Sequence, residues 1–557
     1  MIPFPRHILP APGPAHPRPL FAVLPALLGL AALLALGGCA SSLPGVHDPK
    51  TASVALPHPE ETALGQQFAT ASAAHPGLSA LRLIPIGVDG FLLRAQLIAR
   101  AEKTLDLQYF IFSSDETGQL LADALIRAAD RGVRVRLLLD DFDNTGHDAE
   151  IEALDAHPNI EVRLYNPLAY RGDIKLLRWS ELLLHQPRLD YRMHNKLLVV
   201  DNAVAMVGGR NVGDDYFQID PAGQLGDYEV VAAGPIVAHL SKCFDKFWNT
   251  PSSVPVAALA SGPVQPQALA NYRQQLTLHR RQERADGTDY ATRMRSGEPL
   301  ASVLDGRLPL VWARVSLWYD FPEKKLVENG ALPGELMHRA IFQAAAASHT
   351  EVLVISPFVV PGDDGMALFD DLHRRAVPAR LLTNSMESST DATQAFAGYT
   401  HYRRALLADN VQLYEIRADP GIIRGTGQSA QMSSYGNFGL HTKLYIFDRE
   451  KLFIGSMNFD ERSFHLNTEM GLMIESPELA RQAAQLFEGL VQPANSYQVL
   501  FVPSSAMNFR GIHNPPRLAW RTLESGHPVE YHFDPAANEW QRLKINLLAF
   551  LPLDSEL

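Results

Sequence analysis

With 557 residues, 46% of them hydrophobic and 20% charged, the chain can build roughly two to four folded domains and is not a disordered protein. Its 61 acidic side chains outnumber 49 basic ones, for a formal charge of −12 at pH 7. That balance argues against a protein that grips duplex nucleic acid with a broad basic face, so any anionic ligand must be held by a local cluster of cations.

Residues 1–38 contain Arg6 and Arg18 but no acidic residue, then run uncharged from Pro19 to Gly38. A basic start, an apolar core and small residues at the end read as a secretory signal peptide. The ending Leu36-Gly37-Gly38-Cys39 resembles a bacterial lipobox, in which Cys39 becomes the lipidated first residue of the mature chain. An uncleaved helix is the alternative, since about 20 apolar residues can span a bilayer; Pro25 and the Gly-Gly-Cys ending favour the lipoprotein. The expected location is therefore the periplasmic side of a bacterial cell envelope, anchored by lipid. Ala40 is not an acidic inner-membrane retention signal, which favours the outer membrane. Cys243 is the only other cysteine, so acylation of Cys39 leaves no internal disulfide, and Cys243 reads as a buried structural thiol.

Residues 39–80 are rich in Pro, Ala and Ser and read as a flexible tether. From about residue 81 strand-like and helix-like runs alternate, which predicts an α/β fold. The order strand, helix, strand over 104–141 recurs over 349–385, and "NIEVRLYNP" (159–167) parallels "NVQLYEIRA" (410–418). Two homologous halves follow: a first lobe with its connection over 81–300 and a second lobe over 301–557.

"HNKLLVVDNAVAMVGGRN" (194–211) returns 247 positions later as "HTKLYIFDREKLFIGSMN" (441–458). Each reads as a hairpin, with an apolar run, a turn and a second apolar run. Strand alternation puts His194 and Lys196 on one face, as it does His441 and Lys443, and the returning strand brings Asn211 and Asn458 back beside the histidines. Gly208, Gly209 and Gly455 are expected to leave room for a ligand near the backbone. Asp201 and Asp448 lie about 20 Å along the strand from their histidines, so holding the turn is their expected task. Better partners for the histidines are Asp227 and Glu469, which precede apolar strands at corresponding places in the two halves.

Two imidazoles, two ammonium groups and two carboxamides converging between the halves suit a phosphodiester. The lysines and asparagines are expected to bind its non-bridging oxygens. One neutral histidine attacks phosphorus while the other protonates the leaving alcohol. No metal or other cofactor is expected, because a lysine two residues from each histidine repels a cation there. Upstream, Arg171, Lys175, Arg178 and Trp179 stand among apolar residues in 170–192, where they could meet an anionic membrane interface or form an ordinary amphipathic helix.

The repeated pattern His-x-Lys-x4-Asp-x6-Gly-Gly/Ser-x-Asn resembles the signature of the phospholipase D superfamily. "SMNFDERSFHLNTE" (456–469) and "YDFPEKK" (319–325) are similar to its phosphatidyltransferase branch, of the bacterial cardiolipin synthase C type. The resemblance implies two α/β sandwich lobes about a pseudo-twofold axis with one active site between them. It further implies His194 as nucleophile, His441 as general acid, Asp227 and Glu469 orienting them, and no metal. Implied partners are the membrane and phospholipids, namely phosphatidylglycerol, phosphatidylethanolamine or cardiolipin; nucleic acid is not expected. The implied reaction moves a phosphatidyl group onto phosphatidylglycerol through a phosphohistidine. Hydrolysis of phospholipids stays open as the alternative, and phosphodiesterase or nuclease action and a catalytically dead lipid-binding protein stand further off.

Overall fold

The computed structural model describes residues 43–550, apart from 145, parts of 173–184, and 219–223, 261–266, 287–301, 304–308, 390–392, 421–437, 504–515 and 537. Residues 1–38, Cys39, Lys175, Arg178 and Trp179 lie outside the described residues. Among the described residues no helix is long and apolar enough to cross a membrane.

The first lobe contains β1 (Ser79–Ile84), β2 (Thr104–Tyr109), β3 (Arg134–Asp140), β4 (Ile160–Tyr165), β5 (Leu197–Val200), β6 (Val204–Gly208), β7 (Gln224–Gly226), β8 (Glu229–Ala233) and β9 (Ser253–Pro255). The second contains β10 (Val311–Tyr319), β11 (Val352–Ile355), β12 (Val359–Val360), β13 (Ala379–Asn384), β14 (Gln412–Ile416), β15 (Phe438–Leu440), β16 (Leu444–Phe447), β17 (Lys451–Gly455), β18 (Phe459–Asp460), β19 (Met470–Glu475) and β20 (Ser496–Val502). A hairpin of β21 (Arg517–Glu524) and β22 (His527–Tyr531) extends the second lobe beyond the repeat.

Pairing lays the first lobe out as β9-β4-β3-β2-β5-β6-β8-β1 and the second as β20-β14-β13-β11-β16-β17-β19-β10. The two orders correspond strand for strand. The equivalent edge strands β1 and β10 pair antiparallel, Ser79 opposite Ala313 and Leu81 opposite Val311. Joining equivalent strands head to tail relates the lobes by a pseudo-twofold through that pair. One hydrophobic core fills each lobe's outer side, and a third is shared, with Val199, Phe244 and Phe247 of the first lobe and Leu353, Leu444 and Phe487 of the second. Burying each such side chain stabilises by about 1.5–3 kcal/mol, so the lobes are held as one body and not hinged on a polar seam.

Local chemistry sets these elements. The strands around each site are buried on both faces, as in "LLVV" of β5 and "LYIF" of β16, which suits a sheet covered by helices. Helix Glu116–Asp130 starts at Asp115, whose carboxylate accepts from Gly118 N at 3.1 Å. Helices Pro235–Asn249 and Pro477–Leu490 each start with a proline where the missing N–H costs nothing.

The stretch 50–80, expected to belong to a flexible tether, instead folds onto the first lobe. Lys50 Nζ donates to Ser253 O at 2.9 Å, Ala55 N to Asp245 at 2.9 Å, and Arg163 to Thr51 O at 2.7 Å; helix Ala63–Ala73 follows. Buried arginines of the first lobe need carbonyl acceptors, and this segment supplies them.

Candidate active site

The β5–β6 hairpin turns at Asp201 and Asn202, with φ of 52° and 49°. The β16–β17 hairpin turns at Asp448 and Arg449, both with φ of 54°. Paired positive φ values are the turn geometry that matches strand twist. The Asp201 carboxylate accepts from the amides of Glu102, Lys103 and Thr104 at 2.8–2.9 Å, pinning the start of β2. Asp448 does the same for His349, Thr350 and Glu351 ahead of β11. Both aspartates therefore sit at the turns, among backbone amides.

At the other ends of these hairpins the lobes exchange backbone. Strand β7 pairs in parallel with β15, and His441 N donates to Gly226 O at 2.8 Å. Met193 bridges Thr468, with His194 N donating to Thr468 O at 2.9 Å. Each exchange places the residue before a carboxylate against the residue before the opposite lobe's histidine. As a result His441 Nδ1 donates to Asp227 at 2.6 Å, and His194 Nδ1 to Glu469 at 2.9 Å. The carboxylates thus serve the histidines crosswise, Asp227 reaching from the first lobe and Glu469 from the second. The free Nε2 edges of the two rings face one cavity of about 570 Å³, lined by Phe110, Asn211, Tyr216, Leu225, Asn384 and Leu440 among others. Phe110 packs edge-on against His194 and Tyr216 against His441, with ring centroids 5.2 and 5.0 Å apart.

The remaining motif residues divide. Asn211 lines the cavity, its amide held by Ile111 N at 3.2 Å and the Tyr216 hydroxyl at 2.9 Å. Asn458 is buried, and its Oδ1 has no partner among the described residues. Lys196 and Lys443 do not reach into the cavity as expected; each is buried and donates Nζ to the carbonyl of its own histidine at 2.6 Å. The glycines also differ from expectation. A Cβ at Gly209 would lie 2.5 Å from Asp227 Oδ2, and one at Gly455 would lie 2.3 Å from Met470 O. They make room for the orienting carboxylate and the neighbouring strand, not for a ligand. In the second lobe Ser456 takes the place of Gly209 and its hydroxyl donates to Glu469.

Two further ion pairs support the site from outside the repeated motif. Arg192 binds Asp140 at 2.5 Å, and Asp140 also accepts from Met193 N at 2.8 Å, which fixes the approach to His194. Lys324 binds Asp320 at 2.9 Å, and Asp320 accepts from Glu469 N at 3.1 Å. Their signal in the sequence is a charge at the end of a buried strand, in "RLLLDD" and in "YDFPEKK". Arg171, only 14% exposed, is tied to Asp141 at 2.5 Å and to Asp148.

Electrostatics separate the two pairs. Burial, then Lys196 and Lys443, hold His194 well below its ordinary value; burial and Lys443 lower His441 to about 3. Both imidazoles are thus neutral at rest. Burial opposes ionisation of Asp227, but His441, Lys443 and Arg210 outweigh it and keep the carboxyl below its usual value. Glu469 goes the other way: burial pushes it up to about 7 against the pull of Lys196 and the Ser456 hydroxyl. Burial lowers Lys196 well below the ordinary lysine range and Lys443 to about 8.

The family model described as "Cardiolipin synthase, PLD-like domain" matches residues 95–248 and again 341–491. Cardiolipin synthase C of Escherichia coli is 34% identical over 494 residues, covering 86% of this chain and 96% of that protein. An uncharacterized protein of Helicobacter pylori is 30% identical over 425 residues, covering 76% and 82%. A solved phosphatidylserine synthase of Haemophilus influenzae aligns over 78% of this chain and 92% of its own with 10% identity and a TM-score of 0.49. A twice-matched domain, two lobes of identical strand order and two crosswise histidine–carboxylate pairs around one cavity place the chain in the phospholipase D-like cardiolipin synthase family.

Proposed function

We propose that the protein is a phosphatidyltransferase that forms cardiolipin through a phosphohistidine on His194. The observation that carries this reading is the pair of imidazoles, each bonded through Nδ1 to the other lobe's carboxylate, facing a cavity with both apolar and polar walls. Similarity to cardiolipin synthase C along nearly its whole length supports the product.

In the first step His194 Nε2 attacks phosphorus and the bond to the headgroup oxygen breaks. His441 takes up a proton from solvent at Nε2 once the bound phosphodiester's negative charge has raised the imidazole's proton affinity, and gives that proton to the departing oxygen. In the second step a phosphatidylglycerol hydroxyl gives its proton to His441 and attacks phosphorus. The P–N bond then breaks and frees His194. Asp227, ionised, stabilises an imidazolium at His441. Glu469, half-protonated near neutrality, supports a cation at His194 less and leaves it a neutral nucleophile. The buried lysines act by their field on the phosphoryl charge, in a site shielded from water. With membranes containing phosphatidylglycerol, cardiolipin should exceed phosphatidic acid among the products. Phosphatidic acid as the main product across donors and acceptors would make the protein a hydrolase, and faster cleavage of DNA than of lipid would make it a nuclease.

The lysines also set a pH limit. Lys443 loses its charge as pH rises through about 8, so kcat/KM on a short-chain phosphodiester should fall on the alkaline side. In Lys443→Arg, whose guanidinium stays charged, the fall should move to higher pH. A wild-type profile flat to pH 10 would remove the lysine from the chemistry.

We further propose that Cys39 carries lipid and holds the folded part on the periplasmic side of a bacterial envelope membrane, the outer one preferred. Tethering raises the local concentration of lipid alcohol over that of a free enzyme. Radiolabelled fatty acid should enter the wild-type chain and not Cys39→Ser; equal labelling of both would replace the anchor with a membrane helix.

A further inference from the structure

Helix Met337–Ala346, helix Gly362–Arg374 and the five-residue π-helix Arg462–Leu466 converge in the second lobe. They bring His338, Asp364 and His465 together so that one ligand-type atom from each lies within 4.8 Å of the others. None of the three takes part in the chemistry above.

The two imidazoles are set as metal ligands are. His338 is buried, and its Nδ1 lies 3.0 Å from Phe464 O, which requires a proton on Nδ1 and leaves a lone pair on Nε2. That Nε2 is itself buried, has no hydrogen-bond partner among the described residues, and lies 3.7 Å from Asp364 Oδ2. His465 Nδ1 lies 2.6 Å from Glu328 Oε1, the carboxylate–histidine pairing that fixes the tautomer of a ligating ring. Its Nε2 points to the same centre, 3.8 Å from Glu461 Oε2. Glu461 fits there because Gly362 lacks a side chain; a Cβ at that position would fall 1.6 Å from Glu461 Oε1. Lys324, whose charge bears on both rings, is paired with Asp320 and bound to the carbonyls of Ser463 and Asn467.

An ion-pair network accounts for His465 between Glu328 and Glu461, but not for a buried imidazole nitrogen with nothing to bond. A cation accounts for both. Tetrahedral zinc with ligands at about 2.0–2.1 Å keeps them about 3.3 Å apart. The observed 3.7 and 3.8 Å separations close to that value with small side-chain movements. Two nitrogens and two carboxylate oxygens favour a borderline first-row ion over magnesium or calcium. We infer that the cluster of His338, His465 and Asp364, joined by Glu461 from beside His465 as fourth ligand, forms a zinc-type divalent cation site. Its position gives it a bracing role: the π-helix it would clamp runs through Asn467 and Thr468 into Glu469, the carboxylate that orients His194. The ion would touch neither catalytic histidine, so no chemical step passes through it.

The test uses the untagged full-length chain, stripped with chelator and titrated with Zn²⁺ against a chromophoric competitor, and with Co²⁺ by visible absorption. One Zn²⁺ per chain, a Co²⁺ spectrum of four-coordinate intensity and a higher melting temperature with zinc are expected. Asp364→Asn and Glu461→Gln, both at least partly exposed, should stay folded and weaken binding by about tenfold or more. His465→Gln should abolish the spectrum, and His194→Ala should bind as wild type does. Zinc bound no more tightly by wild type than by His465→Gln, or binding unchanged in all three site variants, would overturn the site.

Discussion

His194→Ala and His441→Ala should each lower turnover by at least about 10⁴-fold with a natural phospholipid donor, because the proposed mechanism uses the two rings as one unit of nucleophile and proton donor. Neither loss should reflect unfolding. Both rings already line a cavity, and the lobes are fixed by the shared core and by the crosswise backbone pairing, which alanine leaves intact. Melting temperatures close to wild type check this. The two variants are then separated by the leaving group. A donor whose headgroup is a good leaving group, such as a nitrophenyl ester, needs no proton from His441. His441→Ala should therefore show a rapid burst of nitrophenol and trap a phosphatidyl group on His194, while His194→Ala shows no burst. A burst in His194→Ala and none in His441→Ala would exchange the two roles.

Much of this site was readable in the chain because strand alternation and a repeated spacing are local properties. His194, Lys196 and Asp201 lie on one hairpin, so the turn position of Asp201 followed from counting residues. Asp227 and Glu469 were recognisable from their place ahead of apolar strands, but not the crossing between lobes. That crossing depends on β7 pairing with β15 and on the Met193–Thr468 bridge, contacts between segments more than 200 residues apart. The lysines misled for a related reason. Period two put them on the histidine face, yet the direction of a long side chain is decided by its acceptor, here the histidine's own carbonyl. Glycines beside the histidines suggest ligand space in the sequence, which does not show how near β8 and β19 approach. Composition likewise marked 50–80 as a tether, while the buried arginines that capture its carbonyls stand far along the chain.

Asp227→Asn and Glu469→Gln should both slow turnover, by about 10²–10⁴-fold, since an amide keeps the hydrogen bond but not the charge that stabilises an imidazolium. The two should fail differently. Asp227 is held ionised by His441, Lys443 and Arg210, so its charge is available whenever His441 carries the proton. Replacing it weakens His441 as an acid, and the nitrophenyl donor should restore most of the first step. In the proposed mechanism Glu469 serves the nucleophile: its carboxylate, bonded to His194 Nδ1, would stabilise the positive charge that grows on the ring as the P–N bond forms. Glu469→Gln should therefore slow adduct formation equally with natural and activated donors. Because burial raises Glu469 to about 7, the wild-type rate of adduct formation should climb as pH rises through that value, and Glu469→Gln should lose the climb. Rescue of Glu469→Gln but not of Asp227→Asn by the activated donor would reverse the assignment. Rates within threefold of wild type for both would reduce the crosswise carboxylates to structural supports.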